Sequence, residues 1–269
     1  AFANPSKDEQ QIAQNVVNHI ELKKDKTYGR AIQVGIGQTG VQAIKALQKS
    51  SWWGRQYSEM FEAATLELFE QGKIKGTHFI EKSGTRTEVD GKIIATFTMA
   101  EEGSDFYAKL DKNKDICLPT ASRVVIPEGF YGGLGINNAL AIDFGGQINS
   151  GSRDKNPYSG IGGLAMITRG LARGGIGYFC LKSTHKTPEG KLRSSIMPYL
   201  PEGSQVSLIG PDTSGACNGA RFFLVTEWGI ADLTSVSQSQ LIKNLIAVAH
   251  PQFREWLKAC AWKEYRVKV

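Results

Sequence analysis

The sequence predicts an α/β fold, in which helices alternate with strands that are buried on both faces. Two short runs, Gly177–Leu181 and Phe222–Thr226, are continuously apolar, as strands inside a parallel sheet are. A third observation concerns Ala31 to Leu47, where a short apolar run, a glycine-rich turn and an amphipathic pattern follow one another. Strand, tight turn and helix in that order make half of a βαβ unit.

The remaining elements follow from spacing and from residues that begin or end helices. The first helix is predicted from Ser6 to about Lys23, because apolar residues recur at helical spacing after a serine that can cap it. Another is predicted from Met60 to Gln71, ending at Gly72. Shorter β-rich runs predict strands at Thr77–Ile80, Ile93–Thr98, Arg123–Ile126 and Leu140–Phe144. Apolar periodicity predicts helices at Leu164–Ala172, Ser237–Ala249 and Pro251–Cys260.

The organisation of the chain is that of one domain. We find no internal repeat, no low-complexity segment and no convincing linker within it. Residues 1–29 are expected to form an amino-terminal helix and a polar linker, and residues 30–269 to form the domain. The 30 glycines cluster between strands and helices, which indicates several places where backbone approaches a ligand closely.

Charge and composition exclude several classes of function. The net charge of +6 is spread along the chain, without an arginine-rich arm or an aromatic ladder, so we do not expect nucleic acid as a partner. A mildly basic surface does suit an anionic small ligand such as one that carries phosphates.

Metal and membrane partners are not expected either. The four cysteines and four histidines are dispersed, with no CxxC, HxxxH or HExxH spacing, so neither a metal site nor a disulfide framework is predicted. No apolar run approaches the roughly 20 residues that cross a bilayer, and the first ten residues do not resemble a signal peptide. The sequence therefore predicts a cytoplasmic location.

The first motif that could carry chemistry is the glycine-rich turn that begins at Gly35 and includes Gly37 and Gly40. It matches GxGxxG between a strand and a helix, and Glu59 lies 19 residues beyond Gly40. This is the pattern of nicotinamide-dependent Rossmann enzymes, in which glycines admit backbone close to a pyrophosphate. A tight turn that binds no ligand explains the same residues.

Four candidate functional groups lie outside that turn. Glu59 ends a short strand, where α/β sheets expose a ligand crevice, but a carboxylate at a helix start has the same appearance. Glu227 follows an apolar strand and could instead form an ion pair. Asn137 could bind a thioester oxygen or hold a turn. Residues 159–163, which include Gly162 and Gly163, offer bare amides at a helix start.

Taken together, these segments resemble one family. In order along the chain they are GIGQTGVQAIKAL, YSEM, INNALAIDFGGQINS, SGIGG, KSTHK, VTEWGIADL and AHPQFREWL. The same order is seen in the acetyl-CoA hydrolases and transferases, which include 4-hydroxybutyrate and succinyl/acetate CoA-transferases. The resemblance covers residues 30 to 258. It implies the carboxyl-terminal part of such an enzyme, with a three-layer CoA-transferase-like domain and a parallel-rich mixed sheet between helices.

The resemblance also implies an activity and a set of site residues. Family members transfer or hydrolyse acyl groups of acyl-CoA through an acyl-glutamyl anhydride and a glutamyl-CoA thioester. By position in its motif, Glu59 corresponds to the nucleophile, and Asn137 and Glu227 to auxiliary residues. The remaining matches concern coenzyme A, which is a substrate here, and the acyl oxygen. They are Gly35, Gly37, Gly162, Gly163 and Lys186.

The sequence departs from the family in ways that bear on activity. After the nucleophile the segment Phe61–Ala64 stands where an Asp-Gly or similar is usual, Met166 and Ile167 stand in place of Asp-Phe, and Ala141 replaces a glutamate. Family members are also roughly twice this long, so an amino-terminal half is expected in cis or in trans, and a homo-oligomer is expected. The expected substrates are acyl-CoA and a small carboxylate. An alternative function stays open. In it the chain is a non-catalytic CoA-binding domain derived from this family.

Overall fold

The computed structural model describes residues 4–76, 78–82, 85–89, 93–100, 105–153, 156–160, 162–208, 219–234 and 236–269. Two residues of predicted elements, Thr77 and Ile161, lie outside the described residues. All predicted site residues lie within them.

The helices, numbered in chain order, are α1 (Lys7–Leu22), α2 (Lys24–Thr27), α3 (Gln38–Gln48), α4 (Ala63–Glu70), α5 (Phe106–Leu110), α6 (Ala121–Val124), α7 (Leu164–Leu171), α8 (Gln238–Ala247) and α9 (Pro251–Tyr265). A 3₁₀ helix spans Pro127–Phe130.

The main sheet contains strands in the spatial order β19 (Gly229–Asp232), β18 (Arg221–Thr226), β14 (Ile176–Cys180), β9 (Leu134–Asn138), β1 (Ala31–Val34), β2 (Arg55–Tyr57), β6 (Ile93–Ile94) and β8 (Ile116–Cys117). Every neighbouring pair is parallel except β18 and β19, which form an antiparallel edge.

Smaller sheets surround the main one. They are formed by β10 (Ala141–Asp143) with β11 (Ile148–Asn149) and β17 (Ile196–Met197), β12 (Ser152–Arg153) with β13 (Asn156–Pro157), β15 (Thr184–Lys186) with β16 (Leu192–Ser194), β3 (Met60–Glu62) with β7 (Phe97–Met99), and β4 (His78–Lys82) with β5 (Thr85–Val89).

Helices cover both faces of the main sheet, and alternate residues of each central strand serve the two faces. In β18, Phe222 and Leu224 belong to one hydrophobic cluster, whereas Phe223 and Val225 belong to the other. The first cluster includes apolar residues of α7, α8 and α9, and the second those of α1, α3 and α4. Because each fully buried aliphatic side chain contributes about 1.5–3 kcal/mol, both faces stabilise the sheet. The predicted three-layer α/β fold with a parallel-rich mixed sheet is confirmed.

The amino-terminal helix α1 packs on α3 and on β18. Its cap is reciprocal, since the Ser6 hydroxyl accepts from the Glu9 N–H and the Glu9 carboxylate accepts from the Ser6 N–H. Its buried residues Ile12, Val16 and Ile20 lie on one face, as the helical spacing predicts.

Three predicted elements are corrected by the structure. Residues 123–126 do not form a strand, because α6 already includes Arg123 and Val124. The helix predicted from Met60 begins only at Ala63, since residues 60–62 pair with β7 as strand β3. The single strand predicted at Ile93–Thr98 is divided between β6 and β7.

One central strand was missed. The apolar segment after the asparagines was predicted as a strand, and it forms β10 in a small sheet. The segment before it, Leu134–Asn138, forms β9 in the middle of the main sheet. This strand contains a glycine and two asparagines, so its sequence does not resemble that of a strand, although residues 134–137 are buried. No helix in the described part of the chain is long and apolar enough to cross a bilayer.

Candidate active site

The candidate site lies at the carboxyl ends of three adjacent parallel strands. Strand β1 is followed by Gly35, strand β2 leads to Glu59, and strand β9 ends with Asn137 and Asn138. The order β9, β1, β2 places these three chain ends side by side, at the sheet edge where open α/β sheets bind ligands.

The backbone around Glu59 is fixed from both sides. The hydroxyl of Ser58, which is buried, accepts from the Val34 N–H at 3.2 Å and lies 3.3 Å from the Val34 carbonyl oxygen, to which it can donate. On the other side, the carbonyl oxygen of Glu59 accepts from the N–H groups of Thr96 and Phe97 at 3.0 and 3.3 Å. These bonds fix the backbone on both sides of the Glu59 side chain.

A backbone amide binds the carboxylate of Glu59. The Gly163 N–H donates to both carboxylate oxygens, at 2.9 Å to Oε2 and 3.1 Å to Oε1. Gly163 is the residue that precedes α7, so the positive end of the helix dipole faces the negative charge. Gly162 has φ of 52°, a left-handed conformation that favours glycine and turns the chain into this position.

The turn after β1 requires glycine at Gly37. Its φ is 131°, and a Cβ atom there would lie 2.4 Å from Asn138 Nδ2. That side-chain amide donates to the carbonyl oxygen of Ile36 at 2.6 Å, so Asn138 ties the turn to the end of β9. The GxGxxG segment therefore forms part of one wall of the site.

Two buried side-chain amides lie below that wall. Gln33 Nε2 donates to Asn137 Oδ1, and Asn137 Nδ2 donates to Gln33 Oε1, both at 3.1 Å. The exposed fractions of the two residues are 1% and 5%. The pair connects β1 to β9 through side chains as well as through the sheet.

These groups line a cavity of about 320 Å³. Of the predicted site residues, it brings together Gly35, Gly37, Glu59, Asn137 and Gly162, with Gly163 directly on the carboxylate. The other lining residues are Gln33, Ile36, Asn138, Ala139, Leu140, Ser150, Tyr158, Ser159, Gly160, Leu164 and Ile167.

Besides Gly163, two predicted site residues are not among those lining residues. Glu227 follows β18, and its carboxylate accepts from the Ser183 N–H at 3.0 Å and from the Ser183 hydroxyl. Lys186 is exposed on β15, where it pairs with Leu192 of the adjacent strand.

A smaller cavity of about 90 Å³ adjoins the first and shares Ala139 and Leu140 with it. Its wall carries the basic side chains of Arg153 and Lys182, together with His185. Lys182 also forms an ion pair with Glu9 at 3.2 Å. Two basic side chains, one of them already paired with a carboxylate, thus lie beside the Glu59 cavity.

Two buried titratable residues flank the strand that leads to Glu59. His78 stacks on Tyr57, and its Nε2 lies 2.9 Å from the Gly129 carbonyl oxygen, so Nε2 carries the proton. Burial, with a smaller contribution from Arg55, lowers the pKa of His78 to about 4. Burial raises the pKa of Glu62 to about 7, although Lys45 opposes the shift.

Within the described residues, no group of three or more His, Cys, Asp and Glu side chains is placed to hold a metal ion. The site offers a carboxylate in a cavity that is also lined by backbone and side-chain amides.

Sequence reasoning missed Gln33, Asn138 and Ser183. A signal for Gln33 exists, because it is a polar residue inside an otherwise apolar strand just before the glycine turn. Ser183 carries no such signal, since its contact with Glu227 joins residues 44 positions apart.

A family model matches the carboxyl-terminal part of the chain. The Acetyl-CoA hydrolase/transferase C-terminal domain matches residues 103–261. The chain is 30% identical over 251 residues to the butyryl-CoA:acetate CoA-transferase of Anaerostipes caccae, which covers 87% of this chain and 51% of that protein. It is also 30% identical over 252 residues to the succinyl-CoA:cyclohexane-1-carboxylate CoA transferase of Geobacter metallireducens, covering 92% and 52%. The chain thus spans about half the length of these relatives.

Solved structures show the same fold. RipA from Yersinia pestis superimposes with a TM-score of 0.75 at 20% identity, covering 99% of this chain and 55% of that one. The 4-hydroxybutyrate CoA-transferase from Porphyromonas gingivalis gives a TM-score of 0.68 at 21% identity, covering 99% and 57%.

Proposed function

The chain belongs to the acetyl-CoA hydrolase/transferase family, and on that premise we propose that it is the carboxyl-terminal half of an acyl-CoA transferase that uses Glu59 as its nucleophile. The observation that carries the proposal is the position of the Glu59 carboxylate, which lies in a cavity and is bound by the amide at the start of α7. Such an amide stabilises negative charge on oxygen, as this chemistry requires.

The first half of the reaction produces an enzyme-bound CoA. A carboxylate oxygen of Glu59 attacks the thioester carbon, the carbon–sulfur bond breaks, and an acyl-glutamyl anhydride and CoA thiolate result. The thiolate then attacks the glutamyl carbon of the anhydride, and the original acyl group leaves as a free carboxylate. Glu59 is left as a glutamyl-CoA thioester, which stores the energy of the original thioester.

An acceptor carboxylate completes the transfer by reversing these steps. It attacks the glutamyl thioester, releases CoA thiolate, and becomes the acyl part of a new anhydride. The thiolate attacks the acyl carbon, which gives the new acyl-CoA and regenerates the Glu59 carboxylate. If water attacks the glutamyl thioester instead, the enzyme is a hydrolase.

Each site residue has a proposed role in these steps. The Gly163 amide binds the Glu59 carboxylate in the free chain. Once that carboxylate has attacked the thioester and lost its charge, the amide would donate to the oxyanion of the reacting group. Asn137 would donate a side-chain N–H to the reacting carbonyl oxygen. The turn of Gly35 and Gly37 lets the thioester approach the backbone, with Gly162 on the opposite wall.

Glu227 and Lys186 belong to the proposal with less direct support. Glu227 ends the strand next but one to β9 along the same sheet edge, where it would act as an auxiliary carboxylate. Lys186 would bind the phosphates of CoA as CoA enters the Glu59 cavity. Arg153 and Lys182, which line the adjacent smaller cavity, would bind them as well.

The rest of the enzyme is also part of the proposal. An amino-terminal half, in cis or in trans, would form the second wall over Glu59, and the complete protein would be a cytoplasmic homo-oligomer. CoA enters as a substrate, with a small carboxylate as the acceptor. The relatives are named for different acyl groups, so the proposal extends to acyl-CoA as a class.

The test is to trap the glutamyl-CoA thioester. The chain is incubated with acetyl-CoA or butyryl-CoA, treated with borohydride and digested, and the mass of the peptide that contains Glu59 is measured. Reduction of Glu59 to the alcohol, only when acyl-CoA is present, is the expected result. Glu59→Gln keeps the shape of the side chain but cannot attack, so it is the matched control. Absence of any reduction at Glu59, even with the amino-terminal half supplied, contradicts the proposal.

A second candidate is favoured by the replacements at Met166 and Ala141, which remove carboxylates that the family keeps near the pocket. In that case the chain binds CoA without reacting. Saturable CoA binding by calorimetry, combined with an unmodified Glu59 in the trapping experiment, is the result that would favour it.

A further inference from the structure

The two amides of Gln33 and Asn137 form a closed ring of hydrogen bonds. Each donates one N–H and accepts one, so both bonds of 3.1 Å break if either amide turns over by itself. A primary amide has two N–H groups and one oxygen. The N–H on the same side as the oxygen is used in the ring, and the other N–H of Asn137 points away from Gln33.

The surrounding structure is built to accommodate this ring. In the parallel register, Gln33 lies opposite Gly135, two residues before Asn137 on the same strand. A Cβ atom at Gly135 would lie 3.2 Å from Gln33 Oε1 and 3.3 Å from Asn137 Nδ2, and 2.4 Å from a methyl group of Leu171. Glycine at that position therefore leaves the room that the ring occupies.

The ring also lies at the reacting centre. Gln33 and Asn137 both line the cavity that contains Glu59, and both are almost completely buried. A buried amide that lost its partner would retain unpaired polar groups and would rotate toward any available contact. The orientation of Asn137 therefore depends on Gln33 rather than on solvent.

We propose that Gln33 is a positioning residue, which holds the Asn137 amide in one orientation in the cavity that contains Glu59, so that its one remaining N–H is available to an acyl group bound there. The inference rests on the proposed function, because it assigns Gln33 an effect only through Asn137 and the chemistry at Glu59. Nothing requires Gln33 to contact the substrate itself.

Substitution by glutamate gives a pH signature that a purely structural role does not predict. When the carboxyl of Gln33→Glu is protonated, its O–H donates to Asn137 Oδ1 and its C=O accepts from Nδ2, which reproduces the ring. When it is ionised it can only accept, so Oδ1 of Asn137 loses its donor and the amide is driven to turn over. The rate of trapping at Glu59 in the variant, divided by that of the unsubstituted chain at the same pH, should rise roughly 10-fold as pH falls through the pKa of the new carboxyl.

Gln56 provides a matched control on the adjacent strand β2. It is equally buried, at 1% exposed, but its Oε1 accepts from the Ile94 N–H at 2.7 Å and it does not line the cavity. Gln56→Glu adds the same buried carboxyl and keeps this acceptor in either charge state. Its rate ratio should show no comparable rise at low pH, whatever its effect on stability.

A second variant and a spectroscopic measurement complete the test. Gln33→Met removes both hydrogen bonds at similar volume and should lower the trapping rate by about 10-fold to 100-fold at every pH. Side-chain ¹⁵N–¹H spectra should show the two Asn137 amide protons with distinct, slowly exchanging signals in the unsubstituted chain and with altered shifts and faster exchange in Gln33→Met.

The outcomes separate the inference from the proposed function. If the unsubstituted chain is trapped at Glu59 but Gln33→Met reacts at the same rate, or Gln33→Glu shows no pH-dependent recovery, the positioning role is wrong. Unchanged Asn137 side-chain signals in Gln33→Met overturn it as well, even if the rate falls. If no trapping occurs in the unsubstituted chain, the function proposed for Glu59 fails first and the role of Gln33 fails with it.

Discussion

The imidazole ring of His78 stacks on the phenol ring of Tyr57, with centroids 4.3 Å apart and planes inclined by 28°. Tyr57 lies two residues before Glu59 and donates its hydroxyl proton to the Val124 carbonyl oxygen at 2.8 Å. The strand that leads to Glu59, the proposed nucleophile, is thus packed against a buried histidine, and the protonation of that histidine affects the stability of this contact.

The first prediction concerns pH and stability. Burial lowers the pKa of His78 from 6.5 to about 4. At a pH between these two values the unfolded chain binds a proton at His78 and the folded chain does not, so the free energy of unfolding falls as pH falls through that range. For Glu62, whose pKa rises from 4.5 to about 7, the folded chain keeps a proton that the unfolded chain releases, so the free energy of unfolding falls as pH rises.

Between about pH 4.5 and 6.5 the two effects oppose one another, and each approaches about 1.4 kcal/mol per pH unit. Urea unfolding of Glu62→Gln should therefore show stability rising with pH in this range, whereas His78→Phe, which keeps the ring stack, should show stability falling. Glu202→Gln, at an exposed position, is the control and should leave the profile unchanged. Parallel profiles in the two variants would contradict the opposing shifts.

The second prediction concerns Gly163. A Cβ atom there would lie 2.5 Å from a methyl group of Val125 and 3.0 Å from Glu59 Oε2. Gly163→Ala should displace the amide and lower the rate of trapping at Glu59 by at least about 10-fold. The double variant with Val125→Ala removes the closer obstacle and should recover part of the rate. No recovery in the double variant would show that displacement by Val125 is not the cause.

The third prediction separates two roles of Glu227. Glu227→Ala leaves the N–H of the buried Ser183 without its acceptor, which costs about 1–3 kcal/mol, whereas Glu227→Gln keeps an oxygen in place. Chemical denaturation should find Glu227→Gln the more stable of the two. A lower trapping rate in Glu227→Gln at nearly unchanged stability would support the auxiliary role, and an unchanged rate would limit Glu227 to a structural one.

The fourth prediction concerns Lys186 and CoA. Lys186→Ala should weaken CoA binding and make it less dependent on salt, because a contact between ammonium and phosphate is screened by ions. Lys191→Ala removes an exposed lysine from the loop that joins the same two strands and should have a smaller effect. Equal affinities and salt slopes in the two variants, measured by calorimetry, would remove Lys186 from the CoA path.

The fifth prediction is that this chain alone turns over weakly. An anhydride at Glu59 survives only where water is excluded, and Glu59 is half-buried at the edge of an open cavity. Poor substrate placement can forfeit a large share of the roughly 7–11 kcal/mol that orientation contributes. Acyl exchange should rise strongly when the amino-terminal half of its own full-length protein or partner subunit is added. Full turnover by the 269 residues alone would show that one half suffices.

The candidate site residues came from the resemblance of the motifs to one family, whereas periodicity in the sequence predicted the layers of the fold, because periodicity is a local property. The continuous apolar strands β14 and β18 were identified in this way. Strand β9 was not, since its glycine and its two asparagines obscure its buried character. Lys186 and Glu227 were grouped with Glu59 by motif alone, and in the structure neither is among the residues that line its cavity. Such positions depend on tertiary packing, which no local pattern records.

The two contacts that define the site, Gln33 with Asn137 and Glu59 with Gly163, each join residues 104 positions apart. Contacts of such long range form slowly, because the loop between the residues must close before they can meet. The first of these contacts lies between the parallel strands β1 and β9, which have to pair before it exists. During refolding, Glu59 should therefore become protected from solvent late, after the helices have formed. A nascent chain that ends before Gly163 lacks the amide that binds the Glu59 carboxylate.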